Sequence, residues 1–322
     1  MNDEAKRLLA VGLDLGGTQV RAALVDRYGV VLQRAAQSTD GQGGPEAILR
    51  QFAALIDLVR GSVPIEKLAG IGVAAPGPLD TEAGVILGIP TLPGWEEFRL
   101  RDHMVRSYGV PAFVENDAKA AALGEWRFGA GQGCRDLIYI TVSTGIGGGV
   151  VTDGRLLHGR RGMGAHVGHF MIMPDGPLCS CGAAGCFEAL ASGTALGRAA
   201  REAAARHPHS VLGALARERA VNARDAVDAA RRGDRVALEV MGREARWLGI
   251  GVTGLIHAFS PERVVLGGGV SLAFDLVEDG IVKVIQSTAM KPFRGVSVVA
   301  AALGDNAGLV GAATLAFDDS AS

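Results

Sequence analysis

Two segments far apart in the chain follow one plan: an apolar strand, a glycine-rich turn and a second strand. In the first, Leu8 to Asp26, the turn is Leu15-Gly16-Gly17-Thr18 and the returning strand is Val20 to Val25. In the second, Asp136 to Val151, the strand Leu137 to Val142 enters Ser143-Thr144-Gly145-Ile146-Gly147-Gly148, and the chain then returns to Val151. Apolar β-forming runs bounded by glycines and hydroxyl residues read as hairpins. Their likeness suggests an internal duplication. The length of 322 residues agrees, because it exceeds what one hydrophobic core ordinarily organises.

Helical spacing alternates with these strands. Tyr28-Gly29 turns into a third strand, Val30 to Gln33. Pro45 begins a pattern with Ile48, Phe52, Leu55, Ile56 and Val59 on one face, and Leu68 to Ala75 returns as a buried strand. A second helix precedes the strand Ala112-Phe113-Val114, and Ala118 to Phe128 has helical spacing. Glu115-Asn116-Asp117 therefore falls on a strand-to-helix turn, a position that ligands favour in α/β sheets. Gly159 to Cys186 has little periodicity. Ser192 to Ala258 is mostly helical, with an Arg-rich face read as solvated surface. The strand Arg263 to Leu266, the turn Gly267-Gly268-Gly269, a helix, the strand Val296 to Ala302 and a final helix complete an α/β pattern.

The charge pattern narrows the function. The net charge is −2 and no run of Lys or Arg stands out, so the footprint of a nucleic-acid or anionic-membrane binder is missing. The longest uncharged stretch, Leu137 to Thr152, is glycine-rich and too short to span a bilayer. Met1-Asn2-Asp3-Glu4 lacks the basic start of a signal peptide, which points to the cytoplasm.

Three glycine turns, each following a strand, can surround a nucleotide: Asp14 with Gly16, Gly17 and Thr18, then Thr144 and Gly145, then Gly267 and Gly268. Taken alone, the first could equally be a tight turn requiring positive φ at Gly16 or Gly17. No P-loop Gly-Lys-Ser/Thr is present, no kinase His-Arg-Asp set, and no Gly-x-Gly-x-x-Gly that opens a helix with an acidic residue about twenty positions on. Asp117 has the residue type and place of a general base for a hydroxyl nucleophile, or of an N-cap for the helix behind it. His169, Cys179, Cys181 and Cys186 form a Cys₃His set suited to tetrahedral Zn²⁺, with Gly182 and Gly185 permitting the tight loop. Cys134 stands apart and reads as a small buried hydrophobe.

These residues resemble the ROK family of sugar kinases and sugar-responsive repressors, most closely its bacterial glucokinases. The likeness runs through Asp14-Leu15-Gly16-Gly17-Thr18, Pro76-Gly77-Pro78-Leu79-Asp80, Glu115-Asn116-Asp117-Ala118 and Ser143 to Gly149. It continues through Gly168-His169, the cysteine cluster ending in Glu188, Leu266 to Gly269 and Gly304-Asp305-Asn306-Ala307-Gly308. The resemblance implies an actin-like ATPase (ribonuclease H-like) fold of two α/β domains with an interdomain cleft. One domain would be 1–118 joined by a C-terminal helix at 305–318; the other, 119–304, would carry the zinc loop. ATP would phosphorylate a sugar 6-hydroxyl, with Asp117 as base and Asn116, His166, His169, Glu188 and Gly77 about the sugar. Asp14, Gly16, Gly17, Thr18, Thr144 and Gly145 would face the phosphates and Mg²⁺, and Gly267 and Gly268 the adenosine. Sugar and ATP would be the partners of a homo-oligomer, a dimer or tetramer. Asp14 comes too early to leave room for the repressors' DNA-binding segment.

The chain departs from the family pattern at two places. Gly164-Ala165-His166-Val167-Gly168-His169 has histidine where family glucokinases commonly carry a sugar-binding Glu, and Thr91 stands where Asn commonly precedes Leu-Pro-Gly-Trp. A kinase for glucose is the first expectation. A kinase for another hexose or an N-acetyl amino sugar, or a non-catalytic sugar-binding regulator, are the alternatives.

Overall fold

A computed structural model describes residues 8–317 and divides the chain into two compact units. The first comprises Met1–Gly133, Gly149–Ala165 and Ala302–Ser322; the second comprises Cys134–Gly148 and His166–Ala301. The first unit thus extends past the expected boundary at 118, because the helix that follows packs within it and so does the 149–165 segment.

The first unit is built on a five-stranded sheet. β1 (Leu9–Leu15) pairs antiparallel with β2 (Gln19–Asp26), which pairs with β3 (Val31–Ser38); β4 (Leu68–Ala75) and β7 (Ala112–Asn116) add on in parallel, giving the order β3-β2-β1-β4-β7. β3 outruns its expected end at Gln33, since ladder pairing with β2 carries the polar residues through to Ser38. Between β4 and β7 lie a small hairpin, β5 (Leu79–Asp80) with β6 (Val85–Ile86), and α2 (Leu100–Tyr108). α1 (Gly44–Arg60) buries all five residues of its predicted face against Leu13, Leu15, Val20, Ile71 and Trp95. The sheet's other face takes α3 (Asp117–Phe128) and α10 (Ala307–Thr314), whose small residues allow backbone-close packing. A methyl group on Gly72 would stand 1.8 Å from Ala312 O, and one on Gly311 1.6 Å from Ala120 O. The helix expected at 305–318 is shorter, starting after a 3₁₀ turn at Gly304–Asn306 and ending at Thr314; residue 318 lies outside the described residues.

The second sheet repeats the order. β8 (Leu137–Val142) neighbours β9 (Ile146–Thr152), which pairs antiparallel with β10 (Arg155–Leu156); β11 (Arg263–Gly267) and β12 (Ser297–Ala300) follow in parallel, as β10-β9-β8-β11-β12. The duplication read from the two hairpins therefore extends to five strands each. The helical stretch resolves into α4 (Phe187–Ala191), α5 (Gly193–Arg206), α6 (Val211–Ala216), α7 (Ala223–Arg231) and α8 (Arg235–Phe259); α9 (Phe274–Thr288) packs along α8. Side-chain caps start these helices where expected chemistry is present: Ser192 for α5, an Asn222/Asp225 capping box for α7 and Asp234 for α8. Among the described residues no helix is long and apolar enough to cross a membrane.

Candidate active site

In the first unit the candidate residues gather at the carboxyl ends of β1, β4 and β7. Neither Gly16 nor Gly17 has positive φ, so the tight-turn reading fails in that form. Gly16 is required by close approach, since a methyl there would stand 2.7 Å from Gln19 O, whose hairpin bond to Gly16 N is 3.0 Å. Gly17 has only Thr91 Oγ1 at 3.9 Å, which leaves open space over an exposed turn. The turn is held from behind by Thr39, whose hydroxyl donates to Gly16 O at 2.7 Å and whose N–H donates to Thr18 O at 2.9 Å. Burial pushes the Asp14 carboxyl above its ordinary range, while Arg21, 3.8 Å away, and Arg34 draw it back.

The strand-to-helix turn divides its labour between two residues. Asn116 is the N-cap of α3, accepting from the N–H groups of Ala118 at 3.2 Å and Lys119 at 3.3 Å. Asp117 is the first helical residue, so the capping role considered for it belongs to its neighbour. Its Oδ1 accepts the Ala118 N–H at 2.8 Å. Asp117 is open to solvent at its surface yet surrounded by protein at longer range. The first property lets a hydroxyl reach it; the second governs its proton affinity. Desolvation pushes its carboxyl up to about 6, opposed by the Ala118 N–H and reinforced by negative Asp14. Gly77 lies nearby: a methyl there would stand 3.7 Å from Asn116 Nδ2.

Behind this turn is a polar network that sequence reasoning missed. Glu115, 1% exposed, accepts the Asn116 N–H at 2.7 Å with one oxygen and has His158 Nε2 at 2.8 Å from the other. The equally buried Lys119 ammonium donates to Gly162 O, and burial lowers its pKa while Glu115 raises it. Arg161 donates to Asp80 at 2.7 Å, tying the 155–165 segment to the small hairpin. Glu125 accepts the N–H groups of Ala302 at 3.0 Å and Leu303 at 2.7 Å, anchoring the chain ahead of α10. A lone Lys within an alanine-rich helix was the available signal for the Lys119 contact.

In the second unit the turn after β8 meets the start of α5. Gly193 N–H donates to Ser143 O at 2.7 Å, and the Thr194 hydroxyl donates to Thr144 O at 2.8 Å. Ser143 and Thr144 line a cavity of about 770 Å³ together with Gly269, Leu272, Asn222 and Arg231. Gly267 packs on the Tyr139 ring and Gly268, at φ +79°, shapes the turn; of the three glycines in this turn, Gly269 lines the cavity. Part of the arginine face expected to be solvated also rims it. Arg201 donates to Val221 O at 3.1 Å and Arg231 to Leu272 O at 2.5 Å. The volume falls within the ordinary range for cofactor-sized ligands.

The cysteine loop also lies in the second unit. Gly185, at φ +72°, lies so near Met173 O that only glycine fits. The loop brings one ligand atom each from His169, Cys179, Cys181 and Cys186 within 4.8 Å of one another. Cys179 Sγ is 3.7 Å from His169 Nδ1, and Cys181 Sγ is 3.6 Å from Cys186 Sγ. A tetrahedral Zn²⁺ with Zn–S bonds of about 2.3 Å sets sulfurs about 3.8 Å apart, so the donor set fits that ion. Burial first, then the neighbouring thiols, push Cys186 up to about 12, whereas the Ala183 N–H draws Cys181 down. A divalent cation is the partner that deprotonates such a cluster together. Glu188, at the start of α4, joins the loop to the β8 turn. Its Oε2 accepts the Ile146 N–H at 2.9 Å and its Oε1 accepts from the Ser180 hydroxyl at 3.0 Å. His166 is exposed, with its ring centroid 6.4 Å from that of His169.

Two duplicated five-stranded sheets, each with a polar turn after its first strand, define a phosphotransferase-like actin-type architecture. The ROK family model matches residues 10–319, and the chain belongs to that family. It is 39% identical to a glucokinase of Thermotoga maritima over 96% of this chain and 97% of that one. It is 34% identical to an N-acetylmannosamine kinase of Salmonella arizonae over 97% and 99%. A ROK family glucokinase from Streptomyces griseus, solved in complex with glucose and AMPPNP, superposes with a TM-score of 0.81 at 37% identity, covering 95% of this chain and 98% of that one. The fold is the actin-like ATPase fold.

Proposed function

We propose that the protein transfers the terminal phosphate of ATP to the 6-hydroxyl of a hexose, glucose first among them. The observation that carries this reading is Asp117. With Asn116 capping α3, the Asp117 carboxylate is left accessible at the head of the helix, with a proton affinity raised to about 6 by its surroundings. A base of that strength is ionised at neutral pH and takes the hydroxyl proton as phosphorus is attacked. Asp14 and the Gly16-Gly17-Thr18 turn of the same unit would face phosphate and Mg²⁺. Thr144, Gly145 and the cavity beside Gly267 to Gly269 would hold the nucleotide. Asn116, Gly77, His166, His169 and Glu188 would orient the sugar. The relatives acting as kinases support the chemistry, and an intact Asp117 with three intact turns favours it over a non-catalytic regulator.

His169 Nδ1, Cys179, Cys181 and Cys186 would hold Zn²⁺, which supplies cross-linking to a loop without an apolar core of its own. With Nδ1 so used, His169 keeps Nε2 for a sugar hydroxyl. A cytoplasmic homo-oligomer that binds no nucleic acid belongs to the same reading, and light scattering on the purified protein measures the assembly. A second substrate reading, an N-acetyl amino sugar, is favoured by His166, since neutral imidazole offers one acceptor where a carboxylate offers several. The deciding experiment is a coupled ADP-release assay over glucose, mannose, fructose, N-acetylglucosamine and N-acetylmannosamine. ADP release with none of them would remove the kinase reading for this substrate class.

A further inference from the structure

Glu244 lies in the middle of α8 with 3% of its surface exposed, and its Oε1 has no hydrogen-bond partner. An acceptor left bare in an interior is costly and calls for explanation. The residue lines a second cavity, of about 250 Å³, enclosed by α5, α8 and the Met173–Pro177 stretch of the cysteine loop. Facing it there are Arg198 and Glu202 of α5, Arg243 and Trp247 of α8, and Asp175 of the loop.

None of the basic groups is given over to Glu244. Arg198 donates to Ala189 O at 2.7 Å, and Arg243 lies 3.8 Å from Glu202. Burial pushes the Glu244 carboxyl up to about 8, with Arg243 drawing it back only in part, so it holds a proton at neutral pH. The remaining wall charges, Arg198 and Arg243 against Asp175 and Glu202, then balance. A charged ligand gains nothing net from such a wall. One with several hydroxyls does, because donors and acceptors alternate around it, and the Trp247 indole offers an apolar face for ring carbons. The volume lies below the roughly 300–1,000 Å³ of drug-sized sites, which limits the occupant to a small molecule.

We propose that this cavity is a second ligand site, which takes an uncharged polyhydroxylated molecule of monosaccharide size with a hydroxyl donated to Glu244 Oε1 and the ring laid on Trp247. The site is separate from the residues assigned to phosphoryl transfer. It does rest against α4 through Leu190, two residues beyond Glu188.

Equilibrium dialysis of the full-length, metal-loaded protein with labelled glucose, without ATP, tests the site. The quantity read is the difference between proteins, so the result does not depend on whether glucose is also the substrate. Glu244→Leu is expected to bind one saturable glucose per chain fewer than wild type, whereas Glu244→Gln, which keeps a neutral polar group, retains the full number. Ala199→Phe, which fills the cavity from α5 and leaves Glu244 in place, is expected to lose the same glucose, and this variant decides the matter if Glu244→Leu does not fold. Turnover at saturating substrate should be unchanged in Glu244→Leu. Equal numbers in wild type, Glu244→Leu and Ala199→Phe would mean that water alone satisfies Glu244 and would overturn the proposal. A change of molecular mass in either variant by light scattering, with equal glucose counts, would overturn it in favour of a contact between copies of the chain.

Discussion

The Glu188 carboxylate accepts the Ile146 N–H at 2.9 Å, and it packs so closely under the turn after β8 that a methyl on Gly145 would stand 2.4 Å from it. Its other oxygen is held by Ser180, beside Cys179 of the cysteine loop. One side chain therefore connects the candidate phosphate turn to the candidate metal loop. Hydrogen bonds to charged groups contribute roughly 1.5–3 kcal/mol. Glu188→Ala is accordingly expected to weaken binding of a non-hydrolysable ATP analogue about ten- to a hundredfold by calorimetry, beyond any effect on sugar. Nucleotide affinity equal to wild type would show that the turn holds itself.

The same connection predicts how the metal loop fails. Cys181→Ser should lose one zinc per chain by elemental analysis and reduce folded, soluble yield. Titration with a chelator should lower nucleotide affinity as metal leaves. Purified active enzyme without zinc would dispose of the metal assignment.

Asp117→Asn should lower kcat by roughly 10²–10⁴-fold with sugar and ATP affinities largely kept. A proposed base of this kind acts in its ionised form, so wild-type kcat should rise with pH and level off above about 6. For stability the sign is opposite. A carboxyl raised above its unfolded value stabilises the fold fully below about 3.8 and loses that contribution as pH climbs through about 6. The Asn variant should then gain stability relative to wild type at pH 8. A flat kcat–pH profile between 5 and 8 would separate Asp117 from the proton transfer.

His166→Glu restores the carboxylate common in the family. It should raise kcat/KM for glucose at least about tenfold, mostly through KM, as one charge-assisted hydrogen bond is worth about that factor. No gain in a folded, zinc-replete variant would direct the substrate search to sugars altered at C1 or C2.

Glu244 predicts a pH dependence of its own. Its carboxyl is raised from 4.5 to about 8, so its contribution to stability is complete below about 4.5 and is lost as pH rises to about 8. Glu244→Gln should remove that slope. Its urea midpoint relative to wild type should increase steadily between pH 5 and 8, and parallel curves over that window would count against a protonated Glu244.

Much of this protein follows from its sequence alone. The two hairpins, the α1 face from Ile48 to Val59 and the Cys₃His spacing are local patterns, in which periodicity, glycine and ligand type act over a few residues and point one way. The duplicated plan followed from the same hairpins, and the family motifs were contiguous enough to read directly. Other features depend on partners distant in sequence, and only the tertiary structure decided them. β3 continues to Ser38 because β2 pairs with it, although Arg34 to Ser38 carries little apolar signal. Asn116 rather than Asp117 caps α3 because the strand delivers it with extended backbone, at ψ 138°, and this makes Asp117 the first residue of the helix. Lys119 and Glu115 are buried because Gly162 and His158 come to meet them across the fold. Glu244 reads as one more charge on a helix until α5 and the cysteine loop close over it. In each case burial or a hydrogen-bond partner supplied from elsewhere in the chain outweighs local preference, and no window of sequence contains that partner.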